Sequence, residues 1–389
     1  MNKLTIPLKV LLICFFLLTL SFTGCLEEKK PEEKPGNLPL EETDTDTALM
    51  LPDWKDGEYH DYYVTTDKLF DFRVKYPNLV KLFSIGKSVL GKDIWCIRIT
   101  NEKNNENKFS CLIDGCIHGI EWEAGEACLY LAEYLLINFG KNDTITNILN
   151  NTEIYIIPLV NPDGRQNDEV GNDNGVDLNR NFDIYFGRLR SRVYRLGKLF
   201  GIIKIPYIKI RPNDPSYWWR NCGRYAFSEP ETRALRDFMK SLNNHDFSFY
   251  VNCHTAWHNI ITPTPWSKNI LFPPYKMKEN EIKIFDYVKD WIEKNTEYEA
   301  DRSEEMTIGG CADIWAYNEF RIPSFTFEIL SIDYDPWYGE HRHDNLVHWM
   351  KTTLPVFMYL IVNIENLHNW ETPYIEPFLP EGVPPLPLS

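Results

Sequence analysis

Nowhere in this 389-residue chain do two cysteines stand as a CxxC pair, which excludes a zinc ribbon or finger of the usual spacing. No stretch supplies the roughly 20 apolar residues of a stable membrane span; the apolar run Val10 to Leu20 stops well short of it. Positive charge is in deficit. The 41 Lys and Arg against 56 Asp and Glu leave a net charge of −15. A general nucleic-acid binder needs a basic face to replace counterions, so that class is set aside. No internal repeat is seen, which argues against a solenoid. What is present is sufficient to fold. A hydrophobic fraction of 43% with 25% charged residues is that of a globular chain, and the length supports a core without disulfide staples. The 12 Trp, 21 Tyr and 22 Phe give that core its bulk and supply rings for a lined pocket.

The N-terminus reads as a separate object. Lys3 and Lys9 precede the apolar run, and Phe22-Thr23-Gly24-Cys25 comes after it, so residues 1–25 have the form of an export signal. The small residues before Cys25 resemble a lipobox, although Phe22 stands where an aliphatic residue is preferred. A plain signal peptide and an uncleaved anchor are the alternatives. All three place the rest of the chain outside the cytoplasm, and two of them tie it to the outer face of the membrane. Residues 26–58 are rich in Glu, Lys, Pro and Thr and read as a tether. The folded body is expected over 59–365, and the proline-rich 366–389 as an extended tail. Of the seven cysteines in the body, Cys96, Cys111, Cys116, Cys128 and Cys253 sit in apolar surroundings and read as buried free thiols, with one disulfide left open.

Apolar periodicity predicts helices over Asp67–Tyr76, Glu121–Phe139, Glu229–Ser241, Glu279–Asn295 and Asn345–Asn363. It predicts strands over Leu79–Ile85, Ile94–Thr100, Phe109–Ile113, Glu153–Val160, Phe247–Cys253 and Phe325–Leu330. Strands alternating with helices imply one three-layer α/β/α domain with a mixed, largely parallel central sheet. A basic and apolar stretch over about 187–211 stands out in an acidic chain. It reads as a surface helix or hairpin, or as an apron toward membrane or site.

The chemistry concentrates at strand ends. His118-Gly119-Ile120-Glu121-Trp122 lies where a strand gives way to a helix, and open α/β sheets place their sites there. A His and a Glu three apart can turn to one ion, and catalytic zinc commonly takes two His and one Glu. HxxE alone is common by chance. It gains weight from five later segments, in chain order Asn161-Pro162-Asp163-Gly164, Gly175-Val176-Asp177-Leu178-Asn179-Arg180-Asn181-Phe182, Phe227-Ser228-Glu229-Pro230-Glu231-Thr232, Val251-Asn252-Cys253-His254, and Gly309-Gly310 leading to Phe325-Thr326-Phe327-Glu328.

In that order the motifs resemble the zinc metallocarboxypeptidases, the group of carboxypeptidases A, B and T, over roughly Tyr59 to Asn363. The resemblance implies one zinc ion per chain held by His118, Glu121 and His254, with His258 as a competing position four residues on. It implies Asp177 as the carboxylate that orients His118, and Glu328 as the general base. Asn179 and Arg180 match the pair that grips a peptide's free C-terminal carboxylate, a task suited to arginine's planar fork. Ser228 to Glu231 looks structural, a cap and first helical turn with proline at its start. Two departures stand out. The family's Trp-Arg-Lys segment is missing, leaving Arg165 as the candidate to polarise the scissile carbonyl. The family's mobile tyrosine is missing too, leaving Glu305 or Tyr298. No inhibitory prodomain fits before Tyr59, so an enzyme made without a zymogen stage is expected. The implied activity is release of C-terminal residues from peptides. Amide deacylation or cell-wall peptide trimming on the same fold, and a non-catalytic peptide-binding relative, are the alternatives.

Overall fold

A computed structural model describes residues 49–373, apart from 105, 191–206, 210–220, 244, 256, 264–275, 303–308 and 330–344. In chain order the elements are α1 (Tyr62–Lys75), β1 (Val80–Lys87), β2 (Asp93–Ile99), β3 (Phe109–Asp114), α2 (Trp122–Asn138), α3 (Asp143–Asn151), β4 (Thr152–Ile157) and α4 (Pro162–Asn167). Next come β5 (Arg188–Arg190), β6 (Tyr207–Lys209), α5 (Pro230–Leu242), β7 (Phe247–His254), β8 (Asn259–Thr262), α6 (Glu279–Asn295), β9 (Glu299–Arg302), α7 (Ala312–Phe320), β10 (Ser324–Glu328), α8 (Leu346–Val362) and α9 (Ile364–His368).

Eight strands form one sheet in the order β1-β2-β4-β3-β7-β10-β8-β9. The centre, β4-β3-β7-β10, is parallel, and the β1-β2-β4 side and the β10-β8 junction are antiparallel. Every residue of β7 is buried, which requires cover on both faces of the sheet. The mixed sheet with flanking helices is thus the expected architecture. All seven cysteines in the described region are free and buried. Among the described residues no helix is long and apolar enough to cross a membrane; the run Val10–Leu20 lies outside them. Of the basic stretch, Arg188–Arg190 and Tyr207–Lys209 pair as two short antiparallel strands, and the residues between lie outside the described region.

One boundary moves. The body was expected to begin near Tyr59, yet packing starts ten residues earlier, because α2 offers partners that the composition of the segment does not reveal. Met50 exchanges two hydrogen bonds with the Asn138 side chain, its amide donating at 2.7 Å and its carbonyl accepting at 2.8 Å. The Trp54 indole donates to Glu133 at 2.8 Å, the Tyr59 hydroxyl to Glu123 at 2.7 Å, and the His60 amide to Glu126 at 2.6 Å. Residues 49–60 therefore run as a strap along α2. At the other end, α9 and the Trp370 indole, which donates to the Arg321 carbonyl at 3.2 Å, carry the packed region past 365.

Candidate metal centre

Parallel strands β3 and β7 deliver His118 and His254 to the same edge of the sheet. β3 ends at Asp114, the chain crosses seven residues, and α2 starts at Trp122 directly after Glu121. This crossing is squeezed against α4, whose first turn Asn161 caps by accepting from the Gly164 amide. A Cβ on Gly119 would fall 2.0 Å from the Gly164 carbonyl carbon, so only glycine lets the two backbones touch.

The three expected ligands come together. His118 Nδ1 lies 2.8 Å from one oxygen of Glu121, and His254 Nδ1 lies 2.8 Å from the other. One donor atom from each residue falls within 4.8 Å of the others, and all three side chains are buried. The distal nitrogens are held as well: His118 Nε2 sits 3.1 Å from Asp177 Oδ1, and His254 Nε2 sits 2.5 Å from Asn252 Oδ1. A carboxylate only accepts, so Asp177 holds a proton on His118 Nε2 and turns Nδ1 inward, where it donates to Glu121 and where a metal would take that proton's place. Burial alone would lower the pKa of His118; Glu121 and Asp177 reverse this and carry it up to about 10. Two imidazoles converging on one buried carboxylate are a cation-seeking donor set, and it fits zinc in ligand type and number.

Glu328 stands beside this set. Its Cα is in register with that of His254 across the parallel β7-β10 pair, and the Ile329 amide donates to the His254 carbonyl at 2.8 Å. Burial pushes the Glu328 carboxyl up to about 7, Glu121 adds to the rise, and His254, His118 and Arg180 oppose it. Its Oε2 is buried and has no hydrogen-bond partner among the described residues. Asn179 and Arg180 sit in a turn of 3₁₀ helix, Leu178–Arg180, whose start is fixed by the Asp177 amide donating to the Asn221 carbonyl at 2.8 Å. Arg180 Nη1 donates to the Asn179 carbonyl at 2.6 Å and approaches Cys311 Sγ at 3.5 Å, while Nε lies 3.7 Å from Asp177. Asn179 Oδ1 accepts from the Ala312 amide at 2.8 Å.

Comparison with known proteins agrees with this geometry. A family model described as zinc carboxypeptidase matches residues 66–335. The chain belongs to that family. Its members are zinc-dependent hydrolases, and His118, Glu121 and His254 form the candidate metal site here. Rat carboxypeptidase B2 is 25% identical over 299 residues, covering 70% of this chain and 64% of that protein. Mouse carboxypeptidase Z is 30% identical over 275 residues, covering 64% and 39%. The chain thus spans a little under two thirds of the B2 protein's length. Among solved structures, thrombin-activatable fibrinolysis inhibitor superposes with a TM-score of 0.62 at 22% identity, covering 80% of this chain and 75% of that one. Carboxypeptidase A from Helicoverpa armigera gives 0.59 at 20%, covering 79% and 74%. These likenesses establish a shared fold.

Other expected residues fall elsewhere. His258 is not the metal ligand: it adopts a left-handed backbone, φ 52°, and packs its ring 4.5 Å from Tyr298 and 5.4 Å from Trp349. Tyr298 does not stand in for the absent loop tyrosine, because it is buried and its hydroxyl pairs with Thr352 at 3.2 Å. Glu305 lies outside the described residues. Arg165, the expected carbonyl polariser, has its guanidinium 4.0 Å over the Trp122 ring and donates to the His60 carbonyl at 2.8 Å. Those contacts serve the N-terminal strap. Arg165→Ala should therefore cost about 2 kcal/mol of stability and loosen residues 49–60 to protease. A fall in kcat with stability intact would return the residue to chemistry.

Ser228–Glu231 proves structural, with Pro230 opening α5, but it also does something the sequence did not disclose. Buried Glu229 and Glu231 both accept from the Asn172 amide nitrogen, at 2.8 and 3.0 Å, and Glu229 accepts from Asn174 at 2.8 Å. They pin the loop that leads into Asp177 and Arg180. The available signals are the pair of carboxylates flanking a helix-starting proline and an Asn-rich loop whose side-chain amides need acceptors.

Proposed function

We propose that this protein is a zinc metallocarboxypeptidase that removes residues from the C-termini of peptides. The observation that carries the reading is Glu328, held in strand register with His254, with a buried and unpartnered carboxylate oxygen beside the His118-Glu121-His254 set. Zinc bound by those three side chains would supply an acidified water and a Lewis acid for the scissile carbonyl. Glu328 accepts the proton of the attacking water and returns it to the departing amine; a carboxyl raised to about 7 is well matched to both transfers. Asp177 keeps the His118 ring in place. Arg180 and Asn179 receive the free C-terminal carboxylate, which makes the enzyme an exopeptidase. Residues 1–25 and the tether after them would put this chemistry at the outer face of the cell membrane.

The test uses the purified protein with blocked dipeptides and longer peptides, each as free acid and as C-terminal amide, with and without a chelator. Release of single C-terminal residues is expected, abolished by chelation and by amidation of the substrate. Turnover of the amides at comparable rates would instead support an amide deacylase. Bound zinc with no release from any substrate would support a peptide-binding relative.

A further inference from the structure

The two histidines of the metal set are oriented by different means. His118 has a carboxylate, Asp177, directly on its distal nitrogen at 3.1 Å. His254 has no carboxylate there among the described residues; the nearer of two amides, Asn252, lies at 2.5 Å. An amide can present either end, so by itself it does not determine where the imidazole proton sits.

The sheet supplies what the amide lacks. Side chains alternate along β7, so Tyr250, Asn252 and His254 share one face. On neighbouring β3, the last residue, Asp114, is in register with Asn252 and fully buried. Asp114 Oδ1 accepts from Asn252 Nδ2 at 2.5 Å, and its Oδ2 accepts from the Tyr250 hydroxyl at 2.8 Å. The carboxylate can only accept, so Asn252 must turn its NH₂ toward Asp114 and its oxygen toward His254. Nε2 of His254 then donates to Asn252, and Nδ1, 2.8 Å from Glu121, is the nitrogen turned toward the metal set.

A second amide tests this logic. Asn179 Nδ2 lies 3.2 Å from the same Nε2 and, with its oxygen engaged by the Ala312 amide, offers a donor. Were Nε2 to accept from Asn179, Asn252 would have to flip and set its oxygen against the Asp114 carboxylate at 2.5 Å. The short, charge-assisted bond decides, and Asn179 remains a close contact only.

We infer that Asp114 and Asn252 are positioning residues for the metal centre, a carboxylate–amide relay that fixes the ring orientation and proton location of His254. The inference rests on the zinc-dependent function proposed above. It makes the relay the counterpart of Asp177, supplied by adjacent strands of the sheet instead of by a loop.

Zinc affinity of the full-length protein at pH 8, measured by competition with a chromogenic chelator, provides the test. Asp114→Asn and Asn252→Asp should each weaken zinc binding by about 10–100-fold, the usual effect of losing a ligand's supporting partner. The double variant Asp114→Asn/Asn252→Asp restores a carboxylate facing an amide in reverse order. The new carboxylate accepts from His254 Nε2–H, and the new amide donates to it while accepting from Tyr250. It should recover affinity to within about fivefold of the parent, a coupling that a merely structural role would not produce. Single variants that bind zinc like the parent, or a double variant no better than the singles, would overturn the relay while leaving the function standing. A parent that bound no zinc would overturn both. Should the variants fail to fold, ¹⁵N–¹H spectra of the zinc-loaded parent decide: a His254 Nε2 proton shifted downfield and protected from water exchange by its bond to Asn252 is expected, and a rapidly exchanging one, or a proton on Nδ1, excludes the relay.

Discussion

Glu328→Gln should leave the protein folded with one zinc per chain and lower kcat by a factor of about 10²–10⁴, the range attributable to a positioned general base. Glutamine keeps the size of the side chain and can still fill its place on β10 next to His254. It cannot take a proton. Because Glu328 is not among the three converging donors, metal content and turnover should separate. KM should move little, since proton transfer belongs to the transition state and not to substrate binding. Metal analysis alongside steady-state kinetics makes the check. Retained turnover would remove Glu328 from the mechanism, and joint loss of zinc and turnover would recast it as support for the metal site.

The second large effect is expected at Arg180. Arg180→Ala should reduce kcat/KM for free-acid peptides by about 10²–10³-fold, consistent with losing one partner of a buried charge pair. Most of the loss should appear in KM, because a carboxylate held equally in ground and transition states contributes uniform binding. The side chain is well prepared for the task. Its Nε lies toward Asp177 at 3.7 Å but is buried without a hydrogen-bond partner among the described residues, and Nη1 is committed to the Asn179 carbonyl. Discrimination between free acids and amides should collapse in the variant. Discrimination that survived would assign the carboxylate grip to another residue.

Much of this was legible in the chain itself. The central strands are buried on both faces and so read as apolar runs, and the order of motifs along them brought His118, Glu121, His254 and Glu328 to one edge. What stayed hidden depends on partners distant in sequence. β9 is Glu-Ala-Asp-Arg, with no apolar alternation, and exists because β8 pairs with it. The helix α3, Asp143–Asn151, is amphipathic and capped by Asn142, but it is short and lies between two stronger signals, which mask it in the sequence. Residues 49–58 read as tether because their composition is polar; Met50 and Trp54 become anchors only against Asn138 and Glu133. Asn252 was visible two residues before His254, but its role requires the register of β3 against β7, which no local pattern records. Arg165 is the one arginine in a short interval, which is all the sequence offers for its role, and in the fold it lies against Trp122 and His60.

The strap along α2 also sets how tension would travel through the molecule. A pull on the chain before Leu49 reaches the Met50–Asn138 contact first, at the far end of the helix. It then meets Trp54–Glu133, and only last the Tyr59–Glu123 and His60–Glu126 contacts in the turns next to Glu121. These contacts lie in series along α2, with the pair nearest the metal set the farthest from the incoming chain. A pull on the chain would have to break the outer contacts before it bore on the turns beside Glu121.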